Sequence, residues 1–292
     1  MNDPTGAKSR QLPSHSSATS ASRRGLLLGA AGLAASLPFN ATGAVTLFSK
    51  EFSNSKGKAN VSNKPAIVLV HGFWGGAAHW SKVIVEMTRM GYESIHAVEM
   101  PLTSLADDAE RTRKMIAQQK GPVLLVGHSY GGAVITEAGN APNVVGLVYI
   151  AAFAPDAGES LAEIAQAAPA PAGAANVAPD SDGYVWINPA KFHESFCQDL
   201  AHDEALVMAV TQKAPLGSVF GSKVTVPAWK SKPSWYQISS NDRMINPKNQ
   251  ERMSGRLGAK KIMTLKSGHA SLASKPHEVS ALIDEAAKAT MA

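Results

Sequence analysis

One stretch constrains this chain more than any other: the apolar run Pro122-Val123-Leu124-Leu125-Val126, followed at once by Gly127-His128-Ser129-Tyr130-Gly131-Gly132 and then Ala133-Val134-Ile135-Thr136-Glu137-Ala138. An aliphatic, β-branched run that ends in glycines and passes into a helix-forming segment predicts strand, sharp turn, helix. Small residues two positions either side of Ser129 let the backbone fold tightly, and such a turn projects a serine hydroxyl above the end of a sheet. Gly-x-Ser-x-Gly is also a pattern that chance supplies in about one chain in ten of this length. Chemistry therefore depends on whether a base, an orienting acid and oxyanion donors lie elsewhere in the right order.

The rest of the chain alternates strands and helices. Pro65-Ala66-Ile67-Val68-Leu69-Val70 is an apolar run suited to a central parallel strand, and it ends in His71-Gly72-Phe73-Trp74-Gly75-Gly76. Trp80, Val83, Ile84, Met87 and Met90 recur at three- and four-residue spacing, which predicts a helix from Ala78 to Met90 closed by Gly91. A strand near Ser94 to Met100, a helix from Ser104 to Gln119 and a strand from Val144 to Ile150 follow the same rhythm. Two more strands are expected at Ser234 to Ser239 and Lys261 to Leu265, with helices at Pro247 to Leu257 and His277 to Ala287. Six strands separated by helices imply an α/β fold, a mostly parallel sheet covered on both faces with function at the carboxyl ends of its strands. The segment 156–232 breaks the alternation, with no convincing strand, an Ala/Pro-rich part from Ala165 to Pro179 and a helix expected from Asp199 to Gln212. It reads as a cap inserted between core segments 45–155 and 233–292, its Ala/Pro-rich part being either a plain loop or a substrate gate.

Residues 1–44 do not belong to that core. Met1 to Ser20 is polar and without periodicity, as a disordered leader is. Arg23-Arg24 followed by Gly25-Leu26-Leu27-Leu28 and a small apolar stretch resembles a twin-arginine export signal, with small residues at 41–44 for cleavage. That predicts handling by the twin-arginine export machinery and a bacterial periplasmic or secreted location. The leader holds four Lys or Arg and one acid, so without it the net charge of +5 falls to +2, which gives no argument for a nucleic-acid partner or an anionic membrane; none is expected. The single cysteine, Cys197, permits no intrachain disulfide and reads as a buried apolar residue.

A general base is expected in the loop after the last strand, where Ser267-Gly268-His269-Ala270 places His269. The acid should lie before it at the end of the penultimate strand, where Asp242 follows Trp235 to Ser239; Asp156, after the preceding strand, is the rival. The order Ser129, Asp242, His269 is one of the known orders of a catalytic triad. Acyl transfer also needs donors for the oxygen that becomes negative, and the backbone N–H groups of Phe73 and Tyr130 stand at the required positions. His71 reads as a structural residue that holds its loop. Phe73, Trp74, Tyr130, Phe153, Trp186, Phe192 and Phe196 are candidates for an apolar pocket, with Trp74, Phe153 and Trp186 as substrate contacts.

At these residues the chain resembles the α/β-hydrolase superfamily over roughly 64–287. It is most similar to the compact branch that includes plant methylesterases, hydroxynitrile lyases and bacterial carboxylesterases. The resemblance is carried by Leu69 to Gly76 with Trp80, Gly127 to Gly132, Ala151-Ala152-Phe153-Ala154-Pro155, Asp242-Arg243-Met244-Ile245 and Gly268-His269-Ala270. It implies the α/β-hydrolase fold and a cofactor-free, metal-free serine hydrolase acting on carboxylic esters of small to medium hydrophobic substrates. Hydroxynitrile lyases typically carry threonine and lysine where this chain has Gly72 and Ala270, so cyanide chemistry is not implied. A cofactor-free perhydrolase would use the same residues, and a ligand-binding protein on the same scaffold would retain the pocket. Both stay open at this point.

Overall fold

A computed structural model describes residues 64–291; the expected leader and twin-arginine-like signal lie outside the described residues. In chain order the strands are β1 (Ala66–Val70), β2 (Ile95–Val98), β3 (Val123–His128), β4 (Val144–Ile150), β5 (Val177–Pro179), β6 (Val185–Ile187), β7 (Ser234–Ser239) and β8 (Lys261–Leu265). The α-helices are α1 (Ser81–Arg89), α2 (Leu105–Ala117), α3 (Gly131–Ala138), α4 (Leu161–Gln166), α5 (Phe192–Phe196), α6 (His202–Val210), α7 (Pro247–Arg256), α8 (Ser271–Ser274) and α9 (Pro276–Ala289). All six strands expected for the core are present and pair in parallel in the order β2-β1-β3-β4-β7-β8.

The apolar runs of β1, β3 and β4 are continuous because both of their faces are buried. Side chains alternate across a strand, so Val68, Val70, Leu125, Leu147 and Tyr149 face one apolar layer, while Ile67, Leu69, Leu124, Val126, Val148 and Ile150 face the other. Helices α2, α3 and α7 supply Ala109, Ile116, Val134 and Met253 to the first layer; α1 and α9 supply Val83, Met87, Leu282 and Ile283 to the second. Strand order reverses between β1 and β3, the topological switch point at which parallel sheets open a crevice. The loop after β1 and the turn that carries Ser129 leave the sheet side by side there.

The segment between β4 and β7 differs from expectation in one respect. It contains a small antiparallel hairpin, β5 with β6, in register Val177↔Ile187 and Pro179↔Val185. Strands of three residues are too short to display alternation, which is why the sequence conceals them. The helix expected at 199–212 is α6, shorter at both ends, and α4 and α5 are additional short helices. Ser160 caps α4 in a reciprocal capping box with Glu163.

Candidate active site

Ser129 occupies the turn between β3 and α3 with φ +55°, a left-handed conformation costly to a side chain. The turn is over-determined. Ser129 N–H donates to Ile150 O at 3.2 Å, and Ser129 O accepts from the N–H groups of Gly132 and Phe153 at 3.0 Å each. A Cβ on Gly127 would stand 2.5 Å from Gly131 O, across the turn, and one on Gly131 would stand 2.3 Å from Val70 O at the end of β1, so neither position has room for a side chain. Ser129 lies on the wall of the large cavity although it is almost wholly buried.

Asp242 follows β7 and His269 follows β8, and the two side chains, both fully buried, meet with His269 Nδ1 2.8 Å from Asp242 Oδ2. The remaining lone pairs of Asp242 are also engaged. Met244 N–H and Ile245 N–H donate to Oδ1 at 2.7 and 3.0 Å, and Gln250 Nε2 donates to Oδ2 at 2.7 Å. A carboxylate that accepts from four donors holds the imidazole as its Nδ1–H tautomer and leaves the Nε2 lone pair available. Nε2 is buried with no hydrogen-bond partner, and Ser129 Oγ does not close a bond to it; such contacts commonly tighten only around substrate. His269 stands next to the turn that carries Ser129. His128 Nε2 lies 2.9 Å from His269 O, and the two rings are 4.8 Å apart. Asp156, the rival acid, is half-buried and paired with Lys230 at 2.5 Å, away from His269.

The loop after β1 is pressed against Ser129. Met100 N–H donates to His71 Nε2 at 3.2 Å, so the proton sits on Nδ1, 2.8 Å from Gly72 O. Burial keeps His71 below the ordinary imidazole value, in keeping with a neutral structural ring. Trp74 has φ +56°; its N–H donates to Lys213 O at 2.9 Å and its Nε1–H to Val185 O at 2.8 Å, which ties the loop to the inserted segment. Among the described residues, the N–H groups of Phe73 and Tyr130 take no part in the backbone hydrogen bonds that engage their neighbours Trp74 and Ser129. Two uncommitted donors therefore flank Ser129.

The cavity above Ser129 has a volume of about 490 Å³. Of the expected pocket aromatics, Phe73, Trp74 and Phe153 line it. Trp186 does not: it is 40% exposed, and its Nε1–H donates outward to Asp180 Oδ2 at 2.8 Å. Tyr130, Phe192 and Phe196 are fully buried and absent from the wall, with the Phe196 ring edge-on to His269 at 5.0 Å. Sequence reasoning missed Phe220, whose ring packs tilted against Phe73 at 4.8 Å, as well as Met244 and Ile245 beside Asp242. It also missed Gln250, since a glutamine in a polar helix carries no mark of burial. The Ala/Pro-rich part is wall, contributing Ala165, Ala168, Ala170, Pro171 and Ala174. Burial pushes the Cys197 thiol up to about 12, so it is inert packing. Among the described residues, no three His, Cys, Asp or Glu side chains are gathered as a metal would require.

A parallel sheet with a serine on a strained strand-to-helix turn, and a histidine–carboxylate pair on the last two strand ends, defines the class of α/β hydrolases. The model of the alpha/beta hydrolase family matches residues 67–282, and the chain belongs to that family. An alpha/beta hydrolase from Aspergillus novofumigatus is 29% identical over 248 residues, which cover 77% of this chain and 97% of that protein. A carbendazim hydrolyzing esterase from Nocardioides sp. is 33% identical over 111 residues, 32% of this chain and 44% of the other. Among solved structures, a pyrethroid hydrolase from Sphingobium faniae superposes with a TM-score of 0.66 at 19% identity, covering 77% of this chain and 98% of that one.

Proposed function

We propose that the protein is a serine hydrolase that cleaves carboxylic esters through an acyl-enzyme. The observation that carries this reading is the buried His269–Asp242 pair, with an uncommitted Nε2, beside a serine held in a strained turn at the cavity wall. Ser129 Oγ attacks the ester carbonyl as His269 Nε2 takes its proton, and Asp242 keeps the ring oriented and stabilises the imidazolium. The Phe73 and Tyr130 N–H groups hold the oxyanion of the tetrahedral intermediate. Collapse expels the alcohol, which takes the proton from His269; water, activated by the same ring, then releases the acid.

Substrate class follows from the wall. Apart from Ser129 and Gln166 at the cavity's outer part, every lining side chain is apolar, so a charged group would lose its hydration without compensation. A volume of about 490 Å³ suits an uncharged hydrophobic ester of small to medium size. The name of the carbendazim hydrolyzing esterase among its relatives supports an esterase reading of the site. The inserted segment 156–232 would act as the cap over it, and the twin-arginine-like leader would route the protein to the periplasm.

The test is hydrolysis of p-nitrophenyl esters of increasing acyl length by the wild type and Ser129→Ala, with a serine-directed phosphonate and mass mapping. Turnover by the wild type, a dead but folded Ser129→Ala and a label on Ser129 are the expected results. A folded wild type that neither turns over esters nor takes the label at Ser129 refutes the reading.

A further inference from the structure

Two acids are buried among the described residues: Asp242 and Asp108. The proposed mechanism uses only the first. Asp108 lies in the first turn of α2, does not line the cavity and so touches no substrate. A buried carboxylate is costly unless its oxygens are satisfied, and here each oxygen has a donor. Tyr130 OH donates to Oδ2 at 2.7 Å, and Leu102 N–H donates to Oδ1 at 2.9 Å.

The first of these donors leads back to the proposed oxyanion pocket. Tyr130 is the residue whose N–H follows the nucleophile, and its fully buried ring lies flat on Phe73, centroids 4.1 Å apart with 17° between planes. Phe73 bears the second proposed donor. The side chains of the two oxyanion residues are thus packed face to face, and Asp108 grips the outer end of the stack. Leu102, the other donor, has φ +63°, and its carbonyl accepts Leu216 N–H of the inserted segment at 2.9 Å. One carboxylate therefore ties α2, the loop after β2 and the Tyr130–Phe73 stack together.

We infer that Asp108 is a positioning residue for the oxyanion pocket, fixing the Phe73 and Tyr130 N–H groups relative to each other through the Tyr130 ring. This inference rests on the serine-hydrolase reading of the site. Because the carboxylate acts on where the donors point and not on the cavity wall, its loss weakens transition-state binding and leaves ground-state binding intact.

The experiment compares Tyr130→Phe, Asp108→Ala and Asp108→Asn with the wild type on p-nitrophenyl butyrate, alongside the rate at which a phosphonate modifies Ser129. Tyr130→Phe keeps the stacked ring and removes only the hydroxyl, so it carries the test if Asp108→Ala does not fold. Tyr130→Phe and Asp108→Ala are expected to lower kcat and the phosphonylation rate together by about 10- to 100-fold while KM stays within about twofold. Asp108→Asn recovers most of the rate, because its amide oxygen accepts Leu102 N–H and its NH₂ donates to Tyr130 Oη. Folded Tyr130→Phe and Asp108→Ala with wild-type kcat, or a raised KM at unchanged kcat, overturn the inference alone. A wild type whose Ser129 the phosphonate leaves untouched overturns the serine-hydrolase reading and this inference with it.

Discussion

Gly72 is the position at which the geometry makes its sharpest demand. A Cβ built there stands 2.5 Å from Ser129 Cβ, 2.9 Å from His128 O and 3.0 Å from Ser129 Oγ. Carbon atoms in contact sit about 3.5 Å apart or more, so Gly72→Ala requires a separation of about 1 Å between the loop and the nucleophile's turn. The turn cannot easily give, because Ile150, Gly132 and Phe153 hold its backbone. The loop that carries Phe73 must move, taking the proposed oxyanion donor with it. A misplacement of about 1 Å costs on the order of 100-fold in rate, or about 2.7 kcal/mol of transition-state binding. Overpacking should also cost about 1–3 kcal/mol of stability. Steady-state hydrolysis of a short p-nitrophenyl ester, beside urea unfolding of the same preparation, measures both. A folded Gly72→Ala with wild-type kcat would refute the argument that the close approach of loop and nucleophile serves the oxyanion.

Two other perturbations follow from buried polar groups. Gln250 is wholly buried and serves three partners: it donates to Asp242 and Ile245 O and accepts Ser239 N–H. Gln250→Leu strands these groups and should cost about 2–4 kcal/mol, seen as a lower urea midpoint, with slower turnover as Asp242 loosens. Acid should destabilise the fold well above the carboxylate range. Burial, then the neighbouring His71, lowers His79 to about 4, and burial lowers His71 and His128 as well. Unfolded imidazoles bind protons near pH 6.5, so stability is complete above that value. It falls as pH drops from there toward the folded values, at about 1.4 kcal/mol per pH unit for each histidine. Urea midpoints from pH 7.5 to 4.5 test this, and His79→Gln should flatten the slope; a wild-type midpoint unchanged down to pH 5 would contradict it.

What the sequence could reveal depended on whether an element advertises its surroundings. The runs 66–70, 123–128 and 144–150 are apolar on both faces because helices cover both, and only a central parallel strand needs that. The positions of His269 and Asp242 follow from the strands that precede them, and the place of Asp242 after the penultimate strand is what favoured it over Asp156. The inserted segment offered no such frame. Its aromatics could be named but not oriented, and Trp186 turned outward to Asp180 while Phe220, in a short 3-10 helix from Gly217 to Gly221, turned inward. Asp108 is the hardest case. In Leu105-Ala106-Asp107-Asp108 the two acids read alike, as charges that suit the first turn of a helix. Asp107 is exposed and caps that turn with Ser104, whereas its neighbour is rotated about 100° further round the helix, into the core. Only the partner it meets there, the tyrosine that follows Ser129, turns an ordinary helix charge into part of the proposed catalytic frame.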